Sequence, residues 1–346
     1  MSEYERKIGT PFHSVELERL KQFLTQESLA YDERITYTVV FEDGDEIVAT
    51  GSCEANILKC IAVAPRVQGQ NVLALVVSDL VQHLADNGIF HYFGFTKPEH
   101  KTVFKYMGLY PVAETERVLL LENKRGGFSS YVQSLCAETA NAKAHGKENE
   151  HGVGIGAIIA NCNPFTFGHR YLIERAASEC RWVHVFVLSA EQGWLRAQDR
   201  FNMVQAGTSD LQNVILHVTS DYLISPVVFP TYFITEKDKA FSINCMLDVK
   251  IFCEHIAKSL EITKRYIGTE PSNTVTREYN RILKEALPKA GIDVIELPRL
   301  ALHGNTVSAS SVRSAIADGN FDSITYMLPE TTRAYLQSVG AVHALP

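Results

Sequence analysis

Apolar residues recur along this 346-residue chain at two different spacings, and the change from one to the other divides it. In residues 1–125 short alternating runs dominate. Segments 35–41, 46–51, 57–63 and 89–95 read as strands, the first two joined by the hairpin turn Glu42-Asp43-Gly44-Asp45. Leu17, Leu20 and Leu24 mark one face of a helix over 15–24, and Leu73, Val77, Leu80, Val81 and Leu84 mark a second helix. A third, short helix ends near Tyr106-Met107-Gly108-Leu109. This pattern predicts an α+β unit. Residues 126–150 are small and polar, with a helix expected over 131–144 and a flexible join over 145–150. From 151 to 346 strands and helices alternate. Strands are expected at 154–160, 182–188, 214–218, 265–268 and 293–297, and helices at 170–180, 196–208, 239–260, 276–290, 310–317 and 329–338. Val/Ile/Leu-rich strands separated by helices predict an α/β domain, a parallel sheet covered on both faces. Its ligand belongs beyond the carboxyl ends of the strands.

The residues between the first of these strands and its helix carry the strongest chemistry. Ala160 to Arg170 read Ala-Asn-Cys-Asn-Pro-Phe-Thr-Phe-Gly-His-Arg, followed by Leu172, Ile173, Ala176 and Ala177 on one helical face. Such a strand–turn–helix places backbone N–H groups, Thr166 and His169 at a helix N-terminus, where dipole and unpaired donors attract an anion. Phosphate is the natural guest. A structural turn with an incidental histidine is the bland alternative. Cys162 reads either as a low-pKa thiol or as a small spacer beside Asn163.

Thr166-Phe167-Gly168-His169 resembles the HxGH nucleotidyltransferase superfamily in its Thr-x-Gly-His form, with Asn163-Pro164 matching its usual upstream dipeptide. The second signature, Ile-Ser-Ser-Thr-x-x-Arg, has a counterpart in Val307-Ser308-Ala309-Ser310-Ser311-Val312-Arg313. The resemblance implies a Rossmann-like nucleotidyltransferase domain. It makes His169, Thr166 and Arg313 catalytic, and assigns nucleotide binding to Asn161, Asn163, Pro164, Phe165, Gly168, Ser308, Ser310 and Ser311. In the front unit, Arg66-Val67-Gln68-Gly69-Gln70-Asn71 resembles the pyrophosphate loop of GCN5-related N-acetyltransferases. Arg66 and Gly69 match, but Asn71 stands where Gly or Ala is expected, and a side chain there crowds the backbone approach. The front unit is therefore expected either to hold a pantetheine-type arm without chemistry, or to be a docking or structural module.

From about residue 10 to about residue 340 the chain resembles the citrate lyase ligase family. The likeness extends to Ser220-Asp221-Tyr222-Leu223-Ile224-Ser225, Gly268-Thr269-Glu270-Pro271, Val275-Thr276 and Tyr279-Asn280. What it implies is a two-step reaction. Acetate and ATP give acetyl-adenylate and pyrophosphate. The acetyl group then passes to the phosphopantetheine-type thiol on the acyl-carrier subunit of citrate lyase, releasing AMP. Mg2+ comes held mainly by ATP, so no dedicated metal ligands are assigned. Adenylyl transfer to phosphopantetheine or a mononucleotide, and non-catalytic binding of coenzyme A or an acyl carrier, are the alternatives.

Several further residues carry two readings each. Arg200 reaches the nucleotide or forms a surface ion pair. Gly268 and Glu270 meet ribose or adenine, or Glu270 is a solvated loop carboxylate. Tyr279 and Asn280, with Asp221 and Ser225, line an acetate or carrier pocket, or a helix start with a core tyrosine explains the first pair. Trp194 and Phe167 pack the core or flank the adenine ring. His184 and His217 are read as structural. The Pro-flanked segment 227–233 covers the crevice or is an ordinary apolar loop.

Bulk properties narrow the partners. A net charge of −7 with no dense Lys/Arg run gives a nucleic-acid role little support. No apolar stretch approaches the roughly 20 residues that span a bilayer, so no membrane partner is expected. Seven cysteines without a CxxC pair, and an N-terminus without an apolar signal core, lead us to expect reduced thiols in the cytoplasm.

Overall fold

The structure, a computed structural model, describes residues 4–190, 194–225, 227, 245–271 and 273–340. Its contacts divide into two compact units, Met1–Ser129 with Val227–Leu247, and Ser130–Pro226 with Asp248–Pro346. Among the described residues no helix is long and apolar enough to cross a membrane.

The first unit is built on seven strands: β1 (Glu5–Gly9), β2 (Tyr37–Asp43), β3 (Glu46–Glu54), β4 (Ile57–Val63), β5 (Phe93–Thr96), β6 (Tyr110–Glu114) and β7 (Leu119–Glu122). Their order is β1-β2-β3-β4-β5-β7-β6. All neighbours are antiparallel except β4 and β5, which run parallel and pair only at Ile57–Phe93 and Leu58–Gly94. Beyond those rungs the two strands part. Helices α1 (Ser14–Gln26) and α2 (Val72–Asp86) supply the buried apolar faces that the leucine spacing predicts. Gly51 lets α2 lie close on β3, because a Cβ there would fall 2.5 Å from Val76 Cγ1 and 2.8 Å from Leu80 Cδ1. A short helix α3 (Lys101–Tyr106) follows β5.

Residues 127–145 form one helix, α4 (Gly127–His145), longer than the 131–144 expected. Leu135 and Thr139 are buried along it.

In the second unit five parallel strands stand in the order β10-β9-β8-β11-β12. They are β8 (Ile155–Ala160), β9 (Trp182–Val187), β10 (Val214–Val218), β11 (Lys264–Gly268) and β12 (Asp293–Leu297). The α/β domain with a parallel sheet is as predicted. The order reverses between β8 and β11, so the loops leaving these two strands diverge and open a crevice at the sheet's carboxyl edge. Helices α5 (Phe167–Glu179) and α6 (Ala197–Gly207) follow β8 and β9, and Thr274–Ala286 connects β11 to β12. Two further helices, Ala309–Ala317 and Glu330–Ser338, close one core with α5, α6 and β9, in which Phe165, Met203, Val312 and Leu336 are buried. Of the helix expected over 239–260, residues 239–244 lie outside the described residues. The remainder is helical and becomes a π-helix at Phe252–Ala257.

Candidate active site

The turn leaving β8 is fixed from beneath. Cys162 takes a left-handed φ of 52° and is buried, and the Asn163–Pro164 peptide is cis. Burial pushes the Cys162 thiol up to about 12, so it is the small spacer and not a reactive thiolate. Phe165 is fully buried and lies against Gly207, where a Cβ would fall 2.4 Å from its ring.

Thr166 then caps α5. It forms a capping box with His169, whose ring Nδ1 receives the Thr166 backbone N–H at 3.1 Å and lies 3.0 Å from Thr166 Oγ1. A nitrogen that accepts a backbone N–H carries no proton, so the neutral ring holds its hydrogen on Nε2. Burial, helped by the charges of Arg299 and Arg313, pulls the His169 pKa down to about 4. At neutral pH the ring is therefore an uncharged donor through Nε2 at a helix N-terminus.

The second signature meets the first here. Arg313, on the helix Ala309–Ala317, donates through Nη1 to the Asn163 carbonyl at 2.6 Å and through Nη2 to Ser310 Oγ at 3.3 Å. The Val307 carbonyl lies 3.5 Å from the point where a Gly168 Cβ would stand. Ser308 is the N-cap of this helix, and its hydroxyl accepts the amides of Ser310 at 3.2 Å and Ser311 at 3.4 Å.

Arg200 fits neither expectation. It is fully buried and clamps the turn, donating through Nη1 to Asn161 Oδ1 and to the Asn161 carbonyl at 3.2 Å. Its Nη2 donates to the Ala190 carbonyl at 2.6 Å. Glu270 is likewise no solvated carboxylate. Its side chain is one-tenth exposed, pairs with Arg299 and accepts the Asn273 amide at 3.0 Å. Gly268 has open space where a Cβ would be, and its carbonyl accepts Asn280 Nδ2 at 2.9 Å.

The other family-like residues are brought together by a side chain that sequence reasoning missed. Asp248 accepts the Tyr279 hydroxyl and, at 2.8 Å, the Ile224 amide, tying the Asp221–Ser225 stretch to the helix Thr274–Ala286. Ser225 Oγ donates to the Asp221 carbonyl at 2.5 Å. Tyr279, Asn280 and Ser225 thus make internal ties. Asp248 is buried, which holds its carboxyl above the usual range.

His184 and His217 are fully enclosed, with His184 Nδ1 2.9 Å from His217 Nε2 and His217 Nδ1 2.6 Å from Glu138. That is a structural chain. Phe167 and Trp194 pack against the core. Residues 228–233 lie outside the described residues.

In the first unit, the parting of β4 and β5 leaves a cleft of about 520 Å³, walled by Ile61, Val63, Phe95, Phe104 and Met107, with Gly69 and Asn71 at its rim. Gly69 and Asn71 both take left-handed φ, 83° and 62°. Arg66 is turned onto Asp43 and Glu46, at 2.8 and 2.9 Å.

Comparison with known proteins gives the family. Residues 155–336 match the family described as citrate lyase ligase C-terminal domain. The chain is 36% identical to the citrate lyase ligase of Haemophilus influenzae, over 94% of this chain and 96% of that protein. It is 34% identical to that of Klebsiella pneumoniae, over 93% of each. A solved structure, Escherichia coli ElaA, is similar over 35% of this chain and 99% of its own, at 14% identity and a TM-score of 0.31. By the matched domain and by near full-length identity to its relatives, the chain belongs to the citrate lyase ligase family.

Proposed function

We propose that this protein activates citrate lyase by ATP-dependent acetylation of the prosthetic-group thiol on its acyl-carrier subunit. The route is an acetyl-adenylate, with pyrophosphate and then AMP released. Acetate is ionised at neutral pH, because carboxylic acids titrate near about 4 to 5. It attacks the α-phosphorus without a general base. A P–O bond to acetate forms as the bond to pyrophosphate breaks. The task left to the protein is to hold two anions together and to stabilise charge on the phosphoryl oxygens. The carrier thiolate then attacks the acetyl carbon, and AMP leaves with the bridging oxygen.

The observation that carries this reading is the Thr166–His169 capping box, which engages Nδ1 and leaves the proton on Nε2 of a ring kept neutral. His169 would donate to the α-phosphate, Thr166 would hold the ring in that tautomer through its amide and hydroxyl, and Arg313, held over the turn by the Asn163 carbonyl, would meet the departing pyrophosphate. Guanidinium suits that role because its forked donors match phosphate oxygens. Each such contact is worth on the order of 10²–10³ in turnover. Magnesium enters on the nucleotide, since this ion keeps its waters and is held chiefly by substrate phosphates. Among the described residues no group of three or more His, Cys, Asp or Glu is placed to hold an ion.

The cleft of the first unit would receive the pantetheine-type arm. Its apolar walls suit a thin chain, and the strand edges left by the parting of β4 and β5 suit that chain's amides. Arg66, neutralised by Asp43 and Glu46, offers little to a nucleotide pyrophosphate. The test is acetate-dependent exchange of labelled pyrophosphate into ATP, expected in the wild type and lost in His169→Ala. Exchange that ignores acetate but answers to a phosphorylated acceptor would replace this reading with adenylyl transfer.

A further inference from the structure

Arg299 belongs to neither signature, yet it stands at the carboxyl ends of β11 and β12, on the same sheet edge as the β8–α5 turn. It follows β12 by two residues and reaches back over the end of β11, where Nε donates to the Thr269 carbonyl at 3.0 Å and Nη2 pairs with Glu270. Glu270 is itself held by the Asn273 amide at the start of the helix Thr274–Ala286. Two donors of the guanidinium are thus fixed to well-anchored acceptors. Nη1 has no hydrogen-bond partner among the described residues, and the side chain is 27% exposed. Its charge bears on His169 alongside that of Arg313, so both cations lie within electrostatic range of one imidazole.

The charge balance gives this placement a use. A neutral His169 brings no positive charge, and Arg313 spends one N–H on the Asn163 carbonyl and another on Ser310. A magnesium-bound triphosphate and an acetate together still carry several negative charges. One guanidinium is a thin counterweight for both in a site partly shielded from water, where unpaired charge is costly. We infer that Arg299 is a second phosphate-binding guanidinium of the crevice and that Glu270 is its anchor, aiming Nη1 at the nucleotide. This deepens the proposed function and rests on it. A residue serving only as a strut would use Arg299 and Glu270 as equal halves of one ion pair.

Calorimetric titration of the full chain with MgATP separates these roles. Arg299→Gln is expected to weaken binding by 10-fold or more, Arg299→Lys to recover part of that loss, and Glu270→Gln to weaken it by no more than about a third as much on the logarithmic scale. Thermal melts of all three report whether the fold survives, and Arg299→Lys keeps a charge in place if the Gln variant does not fold. Equal losses in Arg299→Gln and Glu270→Gln, or wild-type affinity in Arg299→Gln, overturn the inference while leaving the proposed function standing. A wild type that does not bind MgATP overturns both.

Discussion

Gly168→Ala separates what the fold needs from what a phosphate needs. Gly168 lies in the first turn of α5, outside the left-handed region. A Cβ built there meets Thr166 Oγ1 and the Val307 carbonyl at 3.5 Å and Val307 Cγ1 at 3.6 Å, all ordinary contact distances. The folded protein therefore has room for alanine. Alanine also loses less chain entropy than glycine on entering a helix, a gain of up to about 1 kcal/mol. For a unit of this size that raises the melting temperature by roughly 2–4 °C at most. The same methyl group projects beside the helix N-terminus, where a phosphate must come close to the backbone amides. Displacing reacting groups by about 1 Å costs on the order of 10² in rate. The variant should melt at or slightly above the wild-type temperature in scanning calorimetry and lose about 10²-fold of its pyrophosphate exchange. Full exchange in a well-folded Gly168→Ala protein would show that the phosphate does not sit against this turn, and the reasoning from the capping box would fail.

Three other outcomes follow from the packing and the charges. Gly207→Ala puts a Cβ 2.4 Å from Phe165 Cε1 and 2.8 Å from Cδ1, an overpacking that should cost about 1–3 kcal/mol by urea melts; Gly268→Ala, with open space, should cost nothing measurable. Arg200→Met removes the donors to Asn161 and Ala190 and should cost about 2–5 kcal/mol by urea melts; a loss of ATP affinity without destabilisation would return Arg200 to the nucleotide. His184, with its pKa lowered to about 3 by burial and by His217, binds its proton less readily when folded than the usual imidazole near 6.5. The stability it contributes is complete above about pH 6.5 and is lost as pH falls toward 3, so His184→Gln should show a shallower fall in urea midpoint between pH 6.5 and 4 than the wild type.

The β8–α5 turn and the second signature were legible because each is a short string of residues whose chemistry requires that order. Their meeting through Arg313 and Asn163 follows from two strand–loop–helix units sharing one sheet edge. Arg299 and Asp248 were not legible. Each is a lone charged residue without periodicity, and its partners lie 24 to 31 positions away. Arg200 misled for a related reason: an arginine in a helix is normally solvated, and only coordinates show it wholly enclosed. The strands β1, β6 and β7 escaped notice because β1 (Glu-Arg-Lys-Ile-Gly) is a charged edge strand, β6 contains Pro111 and β7 has only four residues. The first turn of α4 fell outside the helix expected over 131–144 because few side chains of α4 are buried, leaving almost no apolar stripe to mark its start.

The acetyl-adenylate is tested most directly by following oxygen. Acetate labelled with ¹⁸O in both carboxylate positions, ATP, Mg2+ and the deacetylated acyl-carrier subunit are incubated with the protein, and the AMP is weighed by mass spectrometry. Attack of the carboxylate on the α-phosphorus, then cleavage of the acyl–oxygen bond by the thiol, predicts one ¹⁸O in each AMP released. Unlabelled AMP, or ADP in its place, with the carrier nevertheless acetylated, would contradict the account.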